Sequence, residues 1–154
     1  MSGMLRRGGA FVIAVALMAF LGSLAQTWRV QQAWSLAAGA AGGGAAVPIP
    51  LRERLDWFRH DLVGLALPYG VLGSIALLTG FLVAAYVVRR TGHPSAVFAA
   101  AGGAAILSLF ELLRAVLGTF LMFGARGAVG LALQVGAGVL AGLIFARLTD
   151  KERT

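Results

Sequence analysis

Four long apolar runs divide the chain, over residues 8–28, 62–88, 95–123 and 128–146. About 20 apolar residues at 1.5 Å rise cross the hydrocarbon core of a bilayer, so each run predicts a transmembrane helix. The two middle runs are long enough to tilt. The turns Thr91-Gly92-His93-Pro94 and Gly124-Ala125-Arg126-Gly127 leave room only for a reversal. The second, third and fourth helices are therefore expected to be antiparallel neighbours. The expected fold is an all-α membrane protein, a four-transmembrane-helix antiparallel bundle forming one domain over residues 1–154.

Residues 29–61 form the only sizeable expected loop. Its first part, 29–36, carries Trp34 and suits the membrane surface, and 39–46 is a flexible Gly/Ala tract. From Leu51 the pattern turns helical, because Leu51, Leu55, Phe58 and Leu62 recur at spacings of four, three and four. Arg52–Asp56 and Asp56–Arg59 are spaced to pair, and Pro50 suits a first helical turn. These features predict a short amphipathic helix over about 50–61, lying at the outer interface and bending into the second span. Interfacial anchoring is its simplest use; a docking surface or a lid is the sharper one. The first run has a rival reading as a signal peptide cleaved near Ser23-Leu24-Ala25. Its length and its Gln-Thr-Trp-Arg ending favour a retained helix.

Composition agrees with the pattern: 59% of residues are hydrophobic and 12% charged, against about 25% charged in soluble domains. The chain has no cysteine, which excludes disulfides, thiolate metal sites and a cysteine nucleophile. The net charge is +7, yet the basic residues flank the runs as pairs and singles. That placement fits headgroup anchoring and topology, and no nucleic-acid partner is expected. Placing the N-terminus, the 89–94 turn and the C-terminus inside puts residues 6, 7, 89, 90, 147, 151 and 153 there. Arg29, Arg52, Arg54, Arg59 and Arg126 then lie outside. Both termini are expected in the cytoplasm, with the 29–61 loop in the periplasm.

Small residues mark where helices meet. Gly138 and Gly142 form a GxxxG pair beside Ala137 and Ala141; Ala10, Ala14, Gly102 and Gly103 are similar candidates. The GxxxG pair serves either packing within the chain or self-association. Pro68 predicts a kink in the second span.

Charge inside an apolar run needs a partner or a purpose. Glu111 and Arg114, three residues apart in the third run, can pair with each other. Leu107, Glu111, Arg114 and Gly118 share a stripe expected to face inward. Counting from the middle of each run places Glu111, Arg114, Gln134, Tyr69 and Ser23 in the outer half of the membrane. The expectation is a polar layer, or a small outward-opening cavity, formed by Glu111, Arg114, Gln134 and Tyr69. Such a layer can be purely structural. Alternatively, Glu111 takes up a proton or an ion, or the pair meets a charged residue of another membrane subunit; a homo-oligomer is the other possible partner of the chain.

Catalytic chemistry finds no foothold, and neither a metal nor a cofactor is expected. His60 and His93 fall on opposite sides of the expected membrane, and no HExxH, GxSxG, P-loop or dinucleotide glycine pattern occurs. Small multidrug exporters carry an essential Glu in the first helix, which is lacking here, and fluoride channels use Asn, which this chain lacks entirely. A different resemblance rests on Val47-Pro-Ile-Pro-Leu-Arg-Glu-Arg-Leu, Asp61-Leu-Val-Gly-Leu, Pro68-Tyr-Gly, Glu111-Leu-Leu, Gly124-Ala-Arg-Gly and Ala141-Gly-Leu-Ile-Phe-Ala-Arg-Leu. In these stretches, which span most of 47–148, the chain resembles a group of small four-helix bacterial membrane proteins without an assigned activity. The resemblance implies the fold and a Gram-negative inner-membrane location, and carries over no site. The expected role is an accessory, scaffolding or assembly protein in the lipid bilayer. The alternative is a small proton- or ion-coupled transporter or channel using Glu111.

Overall fold

A computed structural model describes residues 2–118 and 123–150. They form α1 (Ser2–Ala41), α2 (Leu51–Thr91), α3 (Pro94–Leu117) and α4 (Gly127–Asp150), with a 3-10 helix, Phe123–Ala125, before α4. Four stretches are long and apolar enough to cross a membrane: Gly3–Ala41, Pro68–Thr91, Pro94–Leu117 and Gly127–Asp150. The chain is a multi-pass membrane protein. Its helices pack in a ring, each of α1 and α3 lying against both α2 and α4.

Two helices are longer than hydropathy alone predicts. At 40 and 41 residues, α1 and α2 reach about 60 Å, twice the hydrocarbon thickness. The expected 29–61 loop shrinks to residues 42–50, because 29–41 is rich in Ala and carries two Gln, which favour helix whether or not lipid surrounds them. Only the glycines at 42–44 stop it. The chain then folds back on α1: the Val47 N–H donates to the Ser35 carbonyl at 3.0 Å, and the Ser35 hydroxyl donates to the Val47 carbonyl at 2.5 Å.

The short helix expected over about 50–61 is continuous with the second span. Residues 51–61 are the opening turns of α2, and the helix runs on through Pro68. They pair with the extension of α1. Gln31 Nε2 donates to the Arg54 carbonyl at 3.0 Å, Trp34 meets Trp57 edge to face at 5.9 Å, and Phe20 meets Phe58 at 5.6 Å. Phe58 and Leu62 are half-buried, whereas Leu51 and Leu55 remain exposed. The neighbouring helix α1 supplies partners for the backbone and rings of these turns.

The other boundaries follow from glycine geometry. Gly92 (φ 73°) ends α2 and Gly118 (φ 70°) ends α3, each donating its N–H to the carbonyl four residues back. The third span therefore stops at Leu117 rather than 123, and its expected residues 119–122 lie outside the described residues.

Aromatic rings close the end of the bundle where α2 turns into α3. Each helix supplies one: Phe81 stacks on Phe145 at 4.6 Å and meets Phe98 at 5.5 Å and Phe11 at 6.2 Å. Further along, Met18, Leu77, Ile106 and Phe110 are fully buried. The closest approach joins α3 to α4. A Cβ on Gly102 would overlap the Gly138 carbonyl, and one on Gly142 would overlap the Phe98 carbonyl. The GxxxG pair thus packs within the chain.

Gly138→Ala should lower the stability of the detergent-solubilised protein by about 1–3 kcal/mol, the usual cost of overpacking. Gly136→Ala is the control, because a Cβ there meets nothing within 4 Å. Denaturing-detergent titration of both variants checks this, and equal midpoints would exclude the tight α3–α4 contact.

Candidate functional site

Gln134 is the most buried polar side chain of α4, with none of its surface exposed. It lies one turn from Gly138, on the stripe of α4 that faces inward. Its two ends are both used. The Tyr69 hydroxyl of α2 donates to Gln134 Oε1 at 2.8 Å, and Gln134 Nε2 donates to the Gly22 carbonyl of α1 at 3.1 Å. Three helices are thereby joined through neutral groups. Gly22 makes the junction fit, since a Cβ there would stand 2.8 Å from Gln134 Oε1 and 2.9 Å from the Tyr69 oxygen. Phe110 of α3 flanks the Tyr69 ring at 6.1 Å.

From this junction a row of buried polar residues ascends α1: Ser23, Gln26, Thr27 and Gln31. Ser23 Oγ is buried without a hydrogen bond. The Gly124 N–H donates to Gln26 Oε1, tying the 3-10 helix to α1. Thr27 Oγ1 lies 2.7 Å from Asp61 Oδ2 and 3.0 Å from the Ser23 carbonyl. The carboxylate accepts, so the Thr27 proton points to one of these two oxygens at a time. Sequence reasoning found Ser23 but missed Gln26, Thr27, Gln31 and Asp61. The signal was present, because positions 23, 26, 27 and 31 follow helical spacing. Ending the first span at Trp28 cut that stripe in two.

Of the four expected layer residues, Tyr69 and Gln134 come together and Glu111 and Arg114 do not join them. Arg114 NH2 sits 2.7 Å from Glu111 Oε2, as the i,i+3 spacing predicts, but the two side chains are 56% and 42% exposed. Leu107 and Gly118 are exposed too. The stripe expected to face inward lies on the outside of the bundle. Gly102, Ile106 and Phe110 take the inward face of α3, because close contact with the α4 glycines fixes the helix's rotation. The earlier end of α3 also moves the pair along the helix. Glu111 lies about 8 Å and Arg114 about 13 Å from its middle, close to the edge of the hydrocarbon.

Two properties limit the chemistry. Among the described residues, no three of His, Cys, Asp and Glu gather to hold a metal ion. An open groove of about 540 Å³ between α1 and α2 is lined mostly by apolar groups, among them Phe11, Val15, Phe20 and Leu62, with Ser74 at its wall. No family profile, curated protein or solved structure matches the chain.

Tyr69→Phe removes the donor to Gln134 Oε1 and should cost about 1 kcal/mol, in the range of interhelical hydrogen bonds in membranes. Gly22→Val, which also forces the two side chains apart, should cost more. Unfolding midpoints of the two variants check the order, and equal stability of Tyr69→Phe and the parent would remove the junction's role.

Proposed function

We propose that the protein is an accessory or scaffolding protein of the bacterial inner membrane, with its four helices antiparallel and both termini in the cytoplasm. The observation that carries this reading is the position of Glu111. It is the one acidic residue well inside the apolar spans, and it is paired with Arg114 on the outside of the bundle. Among the described residues, the buried polar side chains are the neutral Ser23, Gln26, Thr27, Gln31 and Gln134 together with the Tyr69 hydroxyl. A coupled carrier needs a titratable or ion-binding group that reaches both sides in turn. Here the interior row stops at Gln134, and Met18, Leu77, Ile106 and Phe110 with the four-phenylalanine cluster fill the remaining depth.

Several features support the arrangement. Tyr69 faces Phe110 and Phe81 faces Phe98, so contacts between α2 and α3 run in opposite directions along the chain. The α1–α2 contacts do likewise, from Phe11–Phe81 to Trp34–Trp57. Ala14, Met18 and Ser23 are buried among the other helices, which favours a retained first helix. Arg6, Arg7, Arg89, Arg90 and Arg147 then share the cytoplasmic side; Lys151 and Arg153 lie outside the described residues. The paired extensions of α1 and α2 stand in the periplasm, with Leu36, Leu51 and Leu55 exposed, and form the part most accessible to partners there. The resemblance over 47–148 supports the inner-membrane location.

Two experiments test this reading. A topology reporter at Gly43 should be active in the periplasm and one at Thr154 only in the cytoplasm; the opposite result overturns the orientation. Purified protein in liposomes should carry no proton or ion flux above empty vesicles. Flux that vanishes in Glu111→Gln while the fold persists would establish the transporter reading instead.

A further inference from the structure

We propose that the groove between α1 and α2 binds one acyl chain of an anionic phospholipid, with the lipid phosphate on Arg59. The proposal goes beyond the scaffolding reading and takes from it only the leaflet, the outer one. The groove follows α1 from Phe11 to Phe20, about 13 Å of helix. Small residues on both helices hollow it out, Ala16 and Ala19 on α1 and Gly70 on α2. A Cβ on Gly70 would meet nothing within 4 Å. On the inner side the two helices touch, where the buried Met18 lies against the bare backbone of Gly73. The helices are thus in contact inside the bundle and apart on its surface.

Size and chemistry choose the occupant. A helix about 10 Å across and as long as the groove would fill about 1,000 Å³, nearly twice the 540 Å³ present. A hydrocarbon chain is thin enough. Ser74, the polar side chain of the lining, donates its hydroxyl to the Val71 carbonyl at 2.8 Å, so the walls ask for no polar ligand. Leu62 lines the groove on the side of the connection between the helices, and Arg59 stands one turn before it on α2. Arg59 is exposed and, among the described residues, has no ion-pair partner, Asp56 included. Neighbouring arginines have work within the chain: Arg54 Nε donates to the Ile49 carbonyl at 3.0 Å, and Arg29 Nη1 to Gln32 Oε1 at 2.7 Å. Short periplasmic segments disfavour arginine, and a guanidinium presents a flat fork that matches phosphate. An apolar slot that ends at an unpaired cation is complementary to a hydrocarbon tail with an anionic head, which the surrounding bilayer supplies.

Native mass spectrometry of the detergent-purified protein, supplied with equal amounts of phosphatidylglycerol and phosphatidylcholine, tests the site. The parent should retain one phosphatidylglycerol, in at least fivefold preference to phosphatidylcholine. Arg59→Gln should bring that ratio close to one while a single lipid is still held. Gly70→Phe, whose ring would project into the groove, should cut retention of both lipids at least fivefold. Gly136→Phe, at an equally open glycine of α4, is the control and should leave retention unchanged. Ala16→Phe fills the groove from the opposite wall and decides the matter if Gly70→Phe does not fold. A parent that retains neither lipid would overturn the proposal, as would filled variants that retain as much as the parent. So would a preference that survives Arg59→Gln, or an equal loss in Gly136→Phe. These outcomes depend neither on partner proteins nor on liposome flux, so failure of the lipid site and failure of the scaffolding reading are separable.

Discussion

The rest of the bundle depends on how closely α3 and α4 approach each other. In lipid there is no hydrophobic gain from bringing helices together, so association rests on packing, and packing on how near the backbones come. Gly102, Gly138 and Gly142 remove the side chains that would hold these two helices apart. That contact fixes the rotation of both. On α4 it turns Gln134, one turn before Gly138, toward Gly22 and Tyr69. On α3 it sends Ile106 and Phe110 inward, so Glu111 and Arg114 must face out.

With rotation fixed, the interior acquires a direction. One end is filled by four phenylalanines, one from each helix, and among the described residues it holds no buried polar side chain. The other carries amides and hydroxyls from Gln134 up to Gln31, joined to carbonyls, a backbone N–H and Asp61. This gradient explains why α1 and α2 continue as a pair beyond the membrane span. Thr27 and Gln31 on α1 meet Asp61 and the Arg54 carbonyl on α2, and Phe20–Phe58 and Trp34–Trp57 add ring contacts along the same pair. A helix pair that changed abruptly from apolar to charged would have no such reason to stay together in water.

Much of the architecture is legible in the sequence. The four runs, the Gly92 turn, the α4 glycines and the Tyr69 and Gln134 pair could all be read from spacing and composition. The errors share one physical origin. Hydropathy reports where a helix is solvated by lipid, not where its backbone stops, so α1 appeared 13 residues too short at its end and α2 appeared to begin as a separate element. The third helix appeared too long for the converse reason, because apolar residues continue past the left-handed Gly118. The inward stripe was misassigned because a Glu–Arg pair in an apolar run looks like something to hide. Rotation is decided by the best close contact available, and on α3 that contact is made of glycine.

The division of polar groups between inside and outside follows from the same energetics. A phenol and a carboxamide can be buried at modest cost when every donor and acceptor is matched, and Tyr69, Gln134 and Gly22 come close to that condition. An ion pair in the same place would lose the hydration of two charges, and its mutual attraction seldom recovers that loss. Neutral groups therefore set the register of α1, α2 and α4 inside the bundle, while the charged pair is held toward the end of α3 on the surface. There the guanidinium is about 13 Å from the helix middle, near enough to the membrane edge for its head to remain partly hydrated. Inside, the polar groups specify one fold; outside, the two charges satisfy each other along one turn of α3.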